Sequence, residues 1–344
     1  KGKKKNDDDG HAIKTSSEPT QDNVSSIENI CSTSVKGCVT GLEAVCSSAG
    51  AGLVTSNSNG QLGLYQVKLA QGTEGEPSVK LQSAVTLAPH AEGVTDLHLS
   101  ADRMGAASVD EGGGLALSCL HSGRVLSTTA NADPVGLNAV RFRGASSQEV
   151  LTAGCAPRGQ LKLWDLRAGA QSTPEAQSGP VIALSDAVLG GSPARCLAVH
   201  PARPEIVALG TDGGKLAFFD LRKPPTGKSS GLVTCWPHRV QPEPPLGGGG
   251  GGAEAGGDPV VQLMFHPLRA NYIFTAASST ASGPHTFLWD FSSQKLDQEG
   301  APGSPSIDAV VHLDSDVVEI FYDEPTSTVV NISKHGMIKV MASV

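Results

Sequence analysis

The amino-acid sequence predicts an all-β protein of the propeller type, and three observations lead to this fold class. From about residue 39, short apolar runs with period two alternate with turns rich in Gly, Asn, Asp and Ser. These runs return in repeated sets. Three sets end in nearly the same phrase: "GQLKLWDLR" at 159–167, "GGKLAFFDLR" at 213–222 and "TFLWDF" at 286–291. Repeated four-stranded units with a terminal Trp-Asp or Phe-Asp indicate a WD40-type β-propeller.

Six sets, or blades, are visible, and a seventh is possible if an N-terminal blade is absent or degenerate. Each set contains a strand, a second strand rich in small residues, a turn with Gly and a third strand. A looser fourth run, such as "SVKLQSAVTL", follows most sets. The first strands, in order, are "VTGLEAVCSS", "GVTDLHLS", "LNAVRFRG", "ARCLAVHP", "VVQLMFHP" and "VVEIFYDE".

The chain divides into a tail and one repeat domain. Residues 1–23 are polar and charged, so they bury too little apolar surface to offset ordering entropy and are predicted to be a flexible tail. Residues 24–344 are predicted to form the propeller. Within it, the Gly- and Pro-rich segment 237–259 predicts a disordered surface loop, and 168–180 and 292–306 predict shorter insertions.

The sixth set stops after its third strand, which leaves one blade incomplete. Propellers often complete such a blade with an N-terminal strand, because this removes an exposed edge. Residues 24–32, "VSSIENICS", are the candidate strand. Deletion of residues 24–32 is therefore expected to lower the melting temperature sharply in scanning calorimetry. An unchanged melting temperature would contradict this assignment.

Composition excludes several classes of function. The formal net charge of -8 disfavours direct nucleic-acid binding, which needs a basic surface. The sequence contains neither a signal segment nor an apolar run long enough to cross a bilayer. The 7 Cys residues form no CxxC pair, so we expect reduced thiols in a soluble intracellular protein without membrane insertion.

Several polar and aromatic residues are predicted to hold the blades together. Trp164 needs a partner for its indole N–H, and Thr152 on the preceding strand is the natural acceptor. Asp212, followed by Gly213, predicts a tight turn. His90 lies where a WD blade carries its histidine, but its blade has no Trp. The predicted structural residues are Thr152, Trp164, Asp165, Asp212, Asp220, Trp289 and Asp290.

The motifs that would indicate catalysis or a cofactor are incomplete. The phrase "GKSS" at 227–230 lacks the earlier Gly of a phosphate-binding loop, because position 222 is Arg. Neither G-x-S-x-G nor H-E-x-x-H occurs. We therefore expect a protein that is not an enzyme, with no catalytic residue, cofactor or metal.

Two arginines follow the repeated Asp and suggest one partner class. The ending Trp-Asp-x-Arg at 164–167, and its near copy at 219–222, resembles the motif by which many WD proteins bind the adaptor of a cullin-type ubiquitin ligase. Arg167 and Arg222 are therefore possible partner contacts. The same residues also suit ordinary blade packing with an arginine at the rim, and the sequence alone leaves both interpretations open.

The order of the phrases gives a second, more specific resemblance. "LNAVRF", "EVLTAG" and "GQLKLWDLR", followed by "CLAVHPARPEIVALGTDGGKLAFFDLRKP", "VVQLMFHP", "YIFTAAS" and "FLWD", resemble the small WD-repeat nucleoporins, the forty-three-kilodalton members of the Y-shaped outer-ring complex of the nuclear pore. The match covers roughly residues 93–291. That family has seven blades, whereas six are visible here, which leaves ring closure and the partner surface open.

The resemblance implies a non-catalytic scaffold subunit that acts by protein–protein interaction. Its implied partners are an α-solenoid nucleoporin and a neighbouring propeller nucleoporin of the Y complex. Its implied location is the nuclear envelope, in the nuclear pore complex, and its implied process is nucleocytoplasmic transport. No ligand or cofactor is implied.

Overall fold

The structure is a computed structural model, and it describes most of the repeat domain. The described residues are 35–47, 50–71, 77–144, 148–166, 179–184, 189–223, 231–238, 257–278, 283–292, 306–312, 317–323, 328–333 and 338–341. The predicted tail at 1–23 and the predicted strand at 24–32 lie outside them. Of the predicted loop at 237–259, only residues 237–238 and 257–259 are described.

The first three sheets are four-stranded and antiparallel, and each follows chain order. Blade 1 contains β1 (Val39–Ser47), β2 (Gly50–Asn57), β3 (Leu62–Gln71) and β4 (Pro77–Leu87). Blade 2 contains β5 (Val94–Leu99), β6 (Gly105–Asp110), β7 (Leu115–Cys119) and β8 (Arg124–Thr129). Blade 3 contains β9 (Leu137–Phe142), β10 (Glu149–Gly154), β11 (Leu161–Asp165) and β12 (Ile182–Leu184).

The remaining three sheets repeat this plan. Blade 4 contains β13 (Ala194–Val199), β14 (Ile206–Thr211), β15 (Lys215–Asp220) and β16 (Leu232–Pro237). Blade 5 contains β17 (Val260–Phe265), β18 (Tyr272–Ala277), β19 (His285–Asp290) and β20 (Ser306–His312). Blade 6 has three described strands, β21 (Val317–Asp323), β22 (Thr328–Ser333) and β23 (Ile338–Met341). The sheets confirm the predicted all-β WD40-type β-propeller with six visible blades.

The first strand of each blade lies innermost. These strands pack on one another in chain order, β1 on β5, β5 on β9, β9 on β13, β13 on β17 and β17 on β21. Together they line a central channel of about 510 Å³, to which β1 contributes Glu43 and β21 contributes Phe321. All six blades therefore surround one axis.

Every first strand carries a bulge at the same place. In blade 1 the irregularity lies between Val39 and Gly41, and in blade 2 it lies between Val94 and Asp96. Blades 3 to 6 repeat it one residue into the strand. Because the register is constant, residues at equivalent positions of different blades can be compared directly.

Side chains near the start of the first strand also link neighbouring blades. The Thr95 hydroxyl donates to the carbonyl oxygen of Leu137 at 2.6 Å, and Asn138 Nδ2 donates to that of Ala194 at 2.8 Å. In blade 4, Cys196 Sγ contacts the carbonyl oxygen of Val260 at 3.5 Å. A side chain near the start of one blade thus bonds the first residue of the next blade's inner strand.

The hydrophobic core lies between the blades. Leu161 and Leu163 of β11 pack with the buried residues of blade 4, whereas Trp164 packs with those of blade 2. Both faces of β11 are buried, because successive side chains of a strand alternate between the two neighbouring blades. The outermost strand β8 is exposed along almost its whole length.

Candidate functional site

Two blades contain the hydrogen bond predicted between the third-strand tryptophan and the second strand. Trp164 Nε1 donates to Thr152 Oγ1 at 2.9 Å, and both side chains are buried. Trp289 Nε1 donates to Thr275 Oγ1 at 2.8 Å in blade 5. Thr152 was predicted as an acceptor from the sequence but Thr275 was not, although the shared register of β10 and β18 places the two threonines equivalently.

His238 extends the blade 5 network, and the sequence analysis did not identify it. Its Nε2 lies 2.6 Å from Thr275 Oγ1, so the Thr275 hydroxyl can donate to the ring while accepting from Trp289. The His238 backbone N–H donates to the Gly214 carbonyl, as that of His90 donates to Gly60. His238 therefore occupies the usual histidine position of a WD blade.

Burial keeps the His238 imidazole neutral. The side chain is fully buried, and burial, together with the nearby His285, lowers its pKa to about 3. Nδ1 has no hydrogen-bond partner among the described residues. Ala277 occupies the position at which Asp110 binds His90 in blade 2, so blade 5 lacks that carboxylate.

The neutral His238 predicts a specific dependence of stability on pH. The unfolded histidine binds a proton near pH 6.5, whereas the folded one does so only near pH 3. Protons therefore favour the unfolded chain, and stability is lost as pH falls through this range. Compared with the wild type, His238→Gln is expected to reduce the slope of the unfolding free energy against pH by roughly 1 kcal/mol per pH unit. Urea denaturation of both proteins between pH 7 and pH 4 measures the two slopes. Equal slopes would contradict the prediction.

Blade 2 contains a Ser–His–Asp arrangement. His90 Nδ1 lies 2.8 Å from Asp110 Oδ2, and Nε2 lies 2.7 Å from Ser108 Oγ. These distances resemble those of a hydrolase triad, but Ser108 is fully buried within the sheet. Burial outweighs the raising effect of the Asp110 carboxylate and lowers the pKa of His90. The two contacts of His90 connect the turn before β5 to the end of β6.

The tryptophan of this network is replaced by Ser118. The registers of blades 2 and 3 place Ser118 where Trp164 lies, opposite the second strand. Ser118 is fully buried, and its Oγ has no hydrogen-bond partner among the described residues. The prediction that this blade lacks its Trp is therefore correct, although His90 still bonds both of its polar neighbours.

Blade 3 replaces the histidine with a buried ion pair. The backbone N–H of Asp133 donates to the Gly113 carbonyl, which is the histidine position, and its Oδ2 lies 3.0 Å from Lys162 Nζ. Asp133 is fully buried and Lys162 nearly so. A Cβ on Gly154 would lie 2.4 Å from Asp133 Oδ2, so glycine leaves space for the carboxylate. This pair was not predicted from the sequence.

The structure describes one of the two predicted contact arginines. Arg167 lies outside the described residues, whereas Arg222 follows β15 with its side chain 56% exposed. The Arg222 guanidinium donates to Asp220 Oδ1 at 2.9 Å and to Oδ2 at 2.8 Å, and Glu205 lies 3.6 Å away. Burial raises the pKa of Asp220, but the hydrogen bonds from Arg222 outweigh it and leave that pKa below its usual value.

The other predicted aspartates lie at strand ends or turns. Asp165 and Asp290 end β11 and β19, and Asp290 accepts the Ser292 backbone N–H at 2.7 Å. Asp212 lies in a turn closed by the Gly214 N–H and the Thr211 carbonyl at 3.1 Å, and it pairs with Arg195 at 3.0 Å. These positions are consistent with structural roles.

Both charged and apolar side chains line the central channel. Arg141 Nη1 lies 2.5 Å from Asp96 Oδ2, and His98 Nδ1 accepts the Phe142 N–H at 3.3 Å. Burial, Arg141 and Arg103 lower the pKa of His98. Among the described residues, no group of three or more His, Cys, Asp or Glu could hold a metal ion. No described helix is long and apolar enough to span a membrane.

Comparisons with known proteins support the fold alone. No protein-family model matches the sequence, and no curated protein matches it. Among solved structures, a chain in the crystal structure of a mitotic checkpoint complex is similar with a TM-score of 0.60 and 13% sequence identity. The similarity covers 87% of this chain and 73% of that chain. Together with the six sheets, it defines the protein as a WD40-type β-propeller.

Proposed function

We propose that the chain is a non-catalytic scaffold subunit of the nuclear pore complex, in the Y-shaped complex of its outer ring. The observation that carries this proposal is the order of sequence phrases over residues 93–291, which resembles the small WD-repeat nucleoporins. These phrases fall on four consecutive blades, from β5 of blade 2 to β19 of blade 5. The resemblance therefore coincides with a continuous structural unit.

The chemistry of these blades favours binding over catalysis. The arrangement that most resembles a catalytic one, His90 with Ser108 and Asp110, is closed to substrate because Ser108 is fully buried. Because a fold does not by itself determine a function, the proposal of a binding role rests on the sequence resemblance. The proposed partners are an α-solenoid nucleoporin and a neighbouring propeller nucleoporin, and the proposed location is the nuclear envelope.

Affinity purification tests this proposal. The tagged full-length protein is purified from its own cells in mild salt, and co-purifying proteins are identified and quantified by mass spectrometry. Recovery of α-solenoid nucleoporins in near-equal amount is the expected result. Recovery of a cullin and its propeller adaptor, without nucleoporins, would contradict it.

A second candidate, the substrate receptor of a cullin-type ubiquitin ligase, depends on the exposed guanidinium of Arg222. The Phe219-Asp220-Leu221-Arg222 ending presents this group beside a carboxylate at the end of β15. Arg222→Ala and Arg167→Ala should release the adaptor if the chain is such a receptor, but leave nucleoporin recovery unchanged if it is a scaffold. Arg195→Ala, a partly exposed arginine on β13, is the matched control.

A further inference from the structure

A cleft lies between blades 1 and 2, on the face of the propeller that contains the turn between β5 and β6. Its volume is about 480 Å³, and the strands of blade 1 form one of its walls. The opposite wall consists of the β5–β6 turn, through Arg103 and Met104, and the β7–β8 turn, through Leu120 and His121. Two neighbouring blades therefore build one concave site.

The blade 1 wall projects beyond the ends of the other blades. The third strands of blades 2 to 5 all end at equivalent positions of the shared register, which are Cys119, Asp165, Asp220 and Asp290. The equivalent residue of β3 is Gln66, but β3 continues to Gln71 and remains paired with β4 over that length. This extension adds about 17 Å of hairpin beside the turns of blade 2.

The base of the cleft is apolar. Its members pack against the buried core between blades 1 and 2, but each remains half-buried, and they are Val45, Leu64, Val85 and Leu120. Met104, at the edge of the cleft, is 47% exposed. An apolar side chain placed here would extend the core and remove this surface from water.

The charged side chains of the cleft are cationic. Lys68 on β3 and Arg103 on the opposite wall are exposed, whereas none of the described lining residues is Asp or Glu. Neither cation forms an ion pair with any residue that the structure describes. The formal net charge of the chain is -8, so the cleft is a local basic site on an acidic protein.

A second lysine adds to this positive charge. Lys80 of β4 lies directly opposite Lys68, and both side chains are exposed on the same face of the hairpin. Like charges at directly opposed positions destabilise a sheet. Over the described part of the chain, Lys80 has no ion-pair partner either. An anion bound between the hairpin and blade 2 would relieve this repulsion.

Arg103 has a backbone conformation that favours glycine. Its φ is 58°, in the left-handed region, and its N–H donates to the Ser100 carbonyl at 2.8 Å to close the turn. Arginine rarely adopts this conformation, which Gly and Asn adopt more readily. A long cationic side chain therefore lies at the edge of the cleft at a cost in local stability.

We propose that this cleft binds an acidic segment of a partner protein. One apolar side chain of the segment packs against the apolar base beside Met104, and its carboxylates pair with Lys68, Lys80 and Arg103. A nucleic acid would neutralise the cations but leave the apolar base uncovered, so the two surfaces together favour a peptide. This inference goes beyond the proposed function and does not depend on which assembly contains the chain.

Peptide selection tests the chemistry of the ligand. A phage library of random dodecapeptides is selected on the immobilised full-length protein, and the bound sequences are compared with the unselected library. The expected result is enrichment of Asp and Glu around a recurrent apolar residue. Absence of enrichment, or enrichment of sequences without acidic residues, would overturn the proposal.

Charge variants test where the selected peptide binds. In fluorescence anisotropy, Arg103→Glu is expected to weaken binding of the synthetic peptide by at least about tenfold. Arg269→Glu changes an exposed arginine in the corresponding turn of blade 5 and should leave the affinity unchanged. Unchanged affinity in Arg103→Glu, or equal losses in both variants, would place binding elsewhere and overturn the proposal.

Lys80→Glu distinguishes binding from stability. The substitution places opposite charges across the hairpin, so the melting temperature should rise, whereas the affinity for the selected peptide should fall. A purely structural role of the lysine would not couple a gain in stability to a loss of binding. Unchanged affinity would contradict the role of the lysine pair, and the proposal with it.

Photo-crosslinking identifies the source of the segment. A benzophenone amino acid replaces Met104 in the full-length protein in its own cells. Leu268, which is 63% exposed in the corresponding turn of blade 5, is the matched control position. The expected result is a crosslink from position 104, but not from position 268, to an acidic segment of another protein.

Other crosslinking results would overturn the proposal. They are a crosslink to nucleic acid, a crosslink to this polypeptide, and the absence of any crosslink. The polypeptide itself contains acidic residues at 7–9 and within 72–76, so a crosslink to either segment would identify an internal ligand instead of a partner.

Discussion

Asp133→Ala is expected to lower the free energy of unfolding by about 3–5 kcal/mol, because it leaves a buried ammonium without its counter-charge. Among the described residues, Lys162 Nζ would retain only the Ala132 carbonyl, which it contacts at 2.6 Å. The same carboxylate accepts the backbone N–H groups of Val135 at 3.0 Å and Gly136 at 3.1 Å. Urea denaturation with linear extrapolation measures the change.

Matched variants distinguish the loss of the ion pair from the loss of the turn hydrogen bonds that Asp133 accepts. Asp133→Asn keeps an acceptor for the two N–H groups but removes the charge. Combined with Lys162→Met, it should recover much of the lost stability, because neither side chain is then charged. Asp212→Ala breaks an exposed pair with Arg195 and should cost less than about 1 kcal/mol. Equal losses for Asp133→Ala and Asp212→Ala would contradict the buried-pair interpretation.

The repeat pattern made most of the fold predictable from the sequence. Period-two apolar runs depend only on which side chains face a neighbouring sheet, so the six blades were predictable from these runs. The Trp164–Thr152 hydrogen bond was also predictable, because both residues lie within one blade at a fixed register.

The polar networks were less predictable because the sequence separates their members. His238 stands at the start of a Gly-rich segment, 22 residues before β17, so it was assigned to an insertion rather than to blade 5. In blade 3 the Asp133–Lys162 ion pair takes the place of the usual histidine, and no WD motif in the sequence indicates such a pair. Asp133 lies four residues before β9, as His90 lies four residues before β5, and this spacing could have identified Asp133; His238 lacks it.

The exposure of Leu42 was not predictable from local pattern. Leu42 and Leu97 have the same alternating apolar surroundings, so the sequence predicts burial for both. Burial of an apolar face also requires a neighbour, and alternation within a strand carries no information about the blade beside it. Only the arrangement of all six sheets shows that Leu97 has this neighbour and Leu42 does not.

Trp164→Ala is expected to cost about 3–5 kcal/mol of unfolding free energy, as truncation of a core aromatic side chain does. Trp164 is buried between blades 2 and 3, where it packs with Val109, Leu115 and Phe142. The substitution removes contacts across two blades and also leaves the Thr152 hydroxyl, itself fully buried, without the indole donor. Urea denaturation monitored by circular dichroism measures the loss.

Two further variants distinguish packing from hydrogen bonding at Trp164. Trp164→Phe keeps most of the apolar contact and should cost less than Trp164→Ala, whereas Thr152→Ala keeps the ring but leaves a buried N–H unpaired, at about 1–3 kcal/mol. Phe219 occupies the equivalent position of blade 4 opposite an apolar strand, so a blade tolerates Phe where no hydroxyl needs a donor. If Trp164→Ala cost under about 1 kcal/mol, packing between blades 2 and 3 would not hold the ring together.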